Sequence, residues 1–170
     1  WEAIEAEMKS AGADVAIGHY CEDRNVYESD FFVDEGKESR TVHLAVDLFA
    51  PAGTPVYAAL DGKVFLFHDN TAHLDNGPMI ILEHETDQGI KFHTLYAHLS
   101  RESLEGLSVG KEIKSGQQIA TMGTEEVNVG WPPHTHFQVI MDLCDMAHDI
   151  WGVAAVSELP VWRSMCPNPN

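Results

Sequence analysis

A mainly β, antiparallel domain is what this sequence predicts, and three of its features point there. Residues 42–49 alternate strictly, with Val42, Leu44, Val46 and Leu48 facing one way and His43, Ala45 and Asp47 the other, the two-residue period of a half-buried strand. The run Pro78-Met-Ile-Ile-Leu-Glu-His84 is followed by the turn sequence Asp87-Gln-Gly89 and a second β-rich run from Ile90 to Leu99, a hairpin signature. Between such runs lie short clusters of Gly, Pro, Asn and Asp, which end strands and make turns.

The elements follow in order. Residues 1–12 set Trp1, Ile4 and Met8 at helical spacing, with acids near the start and Gly12 as a stop, so a short amphipathic helix packed on the domain's edge is expected. Residues 19–40 mix Tyr20, Tyr27, Phe31 and Phe32 with acids without a clean period; they predict a loop with one short strand near Asp30 to Val33. A helix would also set residues 43 and 47 on one face, but the period-two pattern, the β-branched residues and the following Pro51-Ala-Gly53-Thr-Pro55 stand against it at 42–49. Next come a turn at 51–54, a strand at Val56-Tyr-Ala58, a turn at Asp61-Gly62, a strand from Lys63 to His68 and an exposed loop to Pro78. On the strand that returns after the hairpin, Phe92, Thr94, Tyr96 and His98 share one face by alternation.

Residues 101–107 suit one helical turn. The Gly-punctuated stretch 109–123 then faintly repeats an earlier one: Gly110-x-x-Ile113 echoes Gly53-x-x-Val56, and Gly116 before Ile119 echoes Gly62 before Val64. A helix is expected over Asp142 to Trp151. Residues 157–170, rich in Pro and Asn, predict a tail wrapped over the domain or a linker leaving it. The expected division is an N-terminal extension at 1–36, a core at 37–142 and a C-terminal extension at 143–170, together one compact domain.

Composition narrows the function. With 170 residues, 44 % of them apolar, the chain is long enough for one core that buries about 70 % of its unfolded surface. A formal net charge of -17 opposes nucleic acid and anionic membranes, and opposes anionic cell-wall polymers as well. No apolar run of about 18 residues is present to span a membrane. Cys21, Cys144 and Cys166 make an odd count without metal-ligand spacing, from which reduced thiols and a cytoplasmic location are expected.

The chemistry gathers at His43, Asp47, His134 and His136. A two-residue step on a strand puts both imidazoles of His134-Thr135-His136 on one face. Two imidazoles and a carboxylate suit Zn2+, whose catalytic sites keep three protein ligands and an open fourth position. His43, Asp47 and one histidine of the downstream pair meet that count. No His-Glu-x-x-His is present, which removes a helix-borne base. His19, His68, His73, His84, His93 and His148 belong to no ligand-like constellation, and Cys144 with His148 reads as a surface coincidence. Trp131 reads equally as a groove wall and as a plug at the end of the barrel.

The ordered series His43-x-x-x-Asp47, Tyr96-Ala-His98-Leu99 and His134-x-His136 resembles the lysostaphin-type (LytM-type) zinc endopeptidases over roughly residues 37 to 142. Asp47-Leu-Phe-Ala-Pro-Ala-Gly-Thr-Pro-Val56, Asp61-Gly62-Lys-Val64, Gly116-Gln-Gln-Ile119 and Pro133-His-Thr-His-Phe137 carry the same likeness. The resemblance implies a duplicated β motif forming a barrel-sandwich, one Zn2+ per chain on His43, Asp47 and His136, and His98 and His134 as catalytic residues acting on a peptide substrate. His134 is then the general base, and His98 stabilises the intermediate or protonates the leaving amine; the two roles are interchangeable at this level. Ala45 stands where that family usually has Gly, adding a methyl on the site's own face, and Thr135 replaces a customary Leu. Gly130-Trp-Pro-Pro-His-Thr-His-Phe-Gln138 and Cys166-Pro-Asn-Pro-Asn170 are similar to a subgroup whose domain lies between a kinase-like phosphotransferase and a class III aminotransferase, which implies flanking domains as partners. The alternative function is a metal-bearing peptide-recognition module with little or no hydrolysis.

Overall fold

The computed structural model describes residues 1–24 and 38–170. The short strand expected near Asp30 to Val33 lies outside them. Helix α1 (Glu2–Ala11) stops where Gly12 takes a left-handed φ of 64° and its N–H returns to the carbonyl of Lys9. Eleven short strands follow among the described residues: β1 (Ala16–Gly18), β2 (Arg40–His43), β3 (Val46–Phe49), β4 (Pro55–Tyr57), β5 (Gly62–Asp69), β6 (Pro78–Glu85), β7 (Lys91–Ala97), β8 (Glu112–Ile113), β9 (Gln118–Thr121), β10 (His134–Ile140) and β11 (Val153–Ala155). Helix α2 (Leu159–Met165) closes the chain.

Every pairing is antiparallel. Seven strands form one sheet in the order β1-β3-β10-β7-β6-β5-β8, and β11-β2 and β4-β9 form two-stranded ribbons. The sheet is covered on both faces, which is why β6 is apolar almost throughout. Ile80 and Leu82 join Val64, Tyr96, Leu99, Ile113 and Met122 on one side; Met79 and Ile81 join Leu44, Leu95, Ala97 and Ile140 on the other. The stretches 53–64 and 110–119 that echo each other also pair, but crosswise: β4 lies beside β9 and β5 beside β8, so each strand meets the neighbour of its own echo. Gly53 and Gly110 hold matching positive φ angles of 83° and 84°.

Three expectations need correction. The strand foreseen over 42–49 is broken at Leu44–Ala45, so β2 pairs with β11 while β3 pairs with β1 and β10. Residues 142–151 form no helix: the Asp142 carboxylate accepts the Cys144 N–H at 2.7 Å, and Cys144 takes a φ of 49°, a local turn that breaks helical phasing. The last fourteen residues contain helix α2, with proline in its first turn; Trp162 and Met165 pack against the second apolar cluster and Cys166 is buried in it.

Candidate metal centre and groove

The break between β2 and β3 builds the site. His43 ends β2, Asp47 lies in β3, and the register of β10 on β3 sets His136 directly opposite Asp47 and His134 opposite Phe49. Cross-strand neighbours on one face lie within side-chain reach, so three residues spread over 94 positions converge. His43 Nε2 lies 3.1 Å from His136 Nδ1 and 3.2 Å from Asp47 Oδ1, and His136 Nδ1 lies 3.3 Å from the same oxygen. All three side chains are buried.

Their outer partners fix which atoms carry lone pairs. Gln138 donates from its amide nitrogen to the carbonyl of Trp151 at 3.3 Å, so its oxygen faces His136 and accepts from Nε2–H at 3.0 Å. His43 gives its Nδ1–H to the carbonyl of His19 at 3.3 Å. Two imidazole lone pairs and an anionic oxygen therefore face one another in a buried space, and Asp47 Oδ1 has no hydrogen-bond donor among the described residues. A tetrahedral zinc site with bonds of about 2.0–2.1 Å spaces its ligand atoms about 3.3 Å apart. The donor set and its spacing fit that ion, and the outer hydrogen bonds are those that orient metal-bound histidines.

His134 and His98 flank this trio. His134 donates Nδ1–H to the carbonyl of Pro132 at 2.7 Å, stacks on Phe49, and turns Nε2 toward Asp47 Oδ1, 3.8 Å away. The ring centroid of His98 is 4.2 Å from that of His134. His98 arrives by an unexpected route. His136 pairs with Ala97, and Tyr96 with Phe137 on the opposite face, so alternation alone would aim His98 away from the metal ligands. A left-handed φ of 61° at His98 breaks the alternation and swings the ring back, a strained conformation held by its N–H on the Asn76 carbonyl and by Gly123 N–H on its own carbonyl.

Burial sets the charges. It lowers His134 to about 4, and it takes His98 well below the ordinary imidazole value, with the neighbouring His134 and His136 adding to the effect. Burial lowers His43 as well, against the pull of Asp47. Burial opposes the charge on Asp47, yet its carboxyl stays well below the usual carboxylate range, and the Arg24 guanidinium sits on Oδ2. Near neutral pH His43, His98 and His134 are neutral and Asp47 is a carboxylate, protonation states that suit a cation.

Sequence reasoning missed several contributors. Arg24 places a guanidinium nitrogen 2.5 Å from Asp47 Oδ2, leaving Oδ1 to face the trio. Gln138 orients His136, and its two-residue step beyond His136 was a usable signal. Gly152 lets the chain pass His136: a Cβ there would lie 2.9 Å from His136 Cε1. Ala45, expected on the site's face, sits fully buried at the strand break and does not line the groove. Thr135 is buried with its hydroxyl unpartnered among the described residues. His68 and His148 stack on each other, away from the site, at 4.1 Å between centroids. A groove of about 580 Å³ opens on Asp47, His98, His134 and His136, and Trp131 lines it, 6.4 Å from His98 between ring centroids. Of the two readings of Trp131, the groove wall is the one realised.

The family model described as peptidase family M23 matches residues 41–146, more than half of the chain. The chain is 36 % identical over 95 residues to the uncharacterised lipoprotein YgeR of Escherichia coli (strain K12), a match covering 55 % of this chain and 33 % of that one. It is 32 % identical over 126 residues to the peptidoglycan DD-endopeptidase ShyB of Vibrio cholerae serotype O1, covering 74 % of this chain and 25 % of the relative. The chain thus spans a third or less of the length of these two relatives. The solution structure of lysostaphin shares the fold, with a TM-score of 0.52 at 24 % identity over 92 % of this chain and 57 % of that one. These matches overturn the cytoplasmic expectation. Relatives described as a lipoprotein and as peptidoglycan DD-endopeptidases point outside the cytoplasm. All three cysteines are free, as expected, but free thiols do not by themselves name a compartment. Five converging side chains, an antiparallel β fold and a family match across the residues that carry them agree: the chain belongs to peptidase family M23, a family of metallopeptidase hydrolases.

Proposed function

We propose that the chain is a zinc-dependent endopeptidase that holds one zinc ion per chain on His43 Nε2, Asp47 Oδ1 and His136 Nδ1. The observation that carries this reading is the trio of mutually facing lone-pair atoms 3.1–3.3 Å apart in a buried space, without a proton to share among them. Zinc bound there would supply Lewis acidity, making water a nucleophile near neutral pH and polarising the carbonyl it attacks. His134, neutral and with its Nδ1–H committed to Pro132, is poised to take the nucleophile's proton at Nε2. His98, next to it, stabilises the developing oxyanion or hands a proton to the leaving amine. Phe49 and Trp131 wall these two imidazoles and limit water around them.

The substrate class is a peptide in the groove beside Trp131, and the descriptions of the relatives favour a peptidoglycan cross-link. The working unit is the core at 37–142 with extensions at 1–36 and 143–170 in one compact domain. The likeness of 130–138 and 166–170 to domains set between a phosphotransferase and a class III aminotransferase supports flanking domains, which the flanking reading frame would reveal.

The test is cleavage of a peptide mixture that includes peptidoglycan fragments. Hydrolysis should require zinc and vanish with a chelator. His134→Ala and His98→Ala should keep the ion and lose about 100-fold or more in kcat, the usual cost of removing a general acid or base. Hydrolysis indifferent to chelation would overturn the proposal; zinc-dependent peptide binding without cleavage would favour a recognition module.

A further inference from the structure

The chain has 10 Lys and Arg against 27 Asp and Glu, yet two of those cations, Arg24 and Arg40, line the groove that opens on the ligand trio. Arg24 is engaged with Asp47 and Glu22. Arg40 forms no ion pair among the described residues. It reaches the groove because of an irregularity in the β2–β11 ribbon: Val153 faces His43 and Ala154 faces Val42, but Ala155 faces Arg40, skipping Thr41. That bulge resets the alternation and brings Arg40 to the side of the ribbon that carries His43.

The guanidinium then lies over the Trp151 ring, 4.3 Å from its centroid. Its Nε is buried with no acceptor among the described residues. None of the groove's acids Glu22, Asp75 or Asp149 forms an ion pair with it; Glu22 takes Arg24, and Asp75 accepts from Asn70 and from the Asn76 N–H. A guanidinium held over an aromatic face loses little further freedom on binding, and a carboxylate matches its donor fork with two parallel hydrogen bonds. The chain's net charge repels anions at long range, so such a contact selects among bound ligands and does not steer them in.

We propose that Arg40, stacked on Trp151, is a specificity-determining residue that takes a carboxylate of the peptide ligand. This rests on the endopeptidase reading above for its peptide, but not for its chemistry. The carboxylate belongs either to an internal acidic side chain or to a chain terminus. Trp151 also ties the subsite to the metal centre, because its carbonyl receives the Gln138 amide that orients His136.

The experiment uses the zinc-loaded chain and hydrolysis-resistant hexapeptides with reduced-amide linkages. One series carries a single glutamate or glutamine at each successive position, and the other ends in a free acid or a carboxamide; Kd is measured by calorimetry. A preference of about tenfold or more for the carboxylate is expected at one position or at the terminus. It should disappear in Arg40→Gln and survive in part in Arg40→Lys, which keeps the charge but not the fork. Equal binding of carboxylate and amide throughout, or a preference undiminished in Arg40→Gln, overturns the proposal. Thermal melts of both variants verify folding, and Arg40→Lys alone decides if Arg40→Gln does not fold. Ordinary-amide peptides run in parallel separate the two claims: Arg40-dependent binding without cleavage strikes the endopeptidase reading and leaves the subsite standing.

Discussion

At the scale of single residues, the trio depends on atoms that never meet the proposed ion. Gln138 determines which nitrogen of His136 faces inward, because the Trp151 carbonyl can only accept and so turns the amide oxygen toward the ring. Gln138→Ala is expected to weaken zinc affinity about 10- to 100-fold while leaving the fold intact; a competition titration against a chromophoric chelator checks it, and unchanged affinity would show that His136 needs no such support. The shared face of His134 and His136 was legible in the sequence because a two-residue step on one strand puts both on one side, whereas His43 and Asp47 meet across a strand break that their four-residue step does not announce. Arg24 was not legible. It meets Asp47 through a contact 23 positions apart, and no local period announces such a pair.

At the scale of elements, breaks in regularity do more than regular strands. An unbroken strand over 42–49 would have kept His43 and Asp47 within one ladder; the interruption at Leu44–Ala45 gives His43 to the β2–β11 ribbon and Asp47 to the seven-stranded sheet, where β10 enters opposite it. The left-handed turn at His98 has the same character, and neither departure leaves a period-two trace. The apolar run of β6 was readable because burial on both faces needs continuous apolar sequence, and β7 followed from the hairpin turn before it. The helix expected at 142–151 failed because an Asp142 side-chain turn outcompetes the helix there. The passage of residue 152 past His136 is equally tight. Gly152→Ala places a methyl 2.9 Å from His136 Cε1, too close for both to stay; if the ring moves, zinc affinity is expected to fall about tenfold, and wild-type affinity in that variant would mean the ribbon yields instead.

At the scale of the whole molecule, acid should act through the buried imidazoles. His134 stays neutral in the fold down to about pH 4, whereas in the unfolded chain an imidazole takes a proton near 6.5. The unfolded state therefore binds more protons between those values, so stability from this group is complete above about pH 6.5 and lost as pH falls through 4. In the metal-free chain the loss is about 3 kcal/mol, with burial of His43, His98 and His93 acting in the same direction. An imidazole proton resonance of His134 titrating near 4 is expected by NMR; a midpoint near 6.5 would contradict the burial argument. The overall β architecture was legible because its turns and alternation are local. Location was not, since net charge and cysteine number constrain partners and redox chemistry without naming a compartment. The proposed function depends on three atoms closing on one ion, and metal analysis of the purified chain beside His43→Ala, Asp47→Ala and His136→Ala tests that most directly. One zinc per wild-type chain, lost in each variant, is the expected result; zinc retained in full by Asp47→Ala and His136→Ala would contradict it.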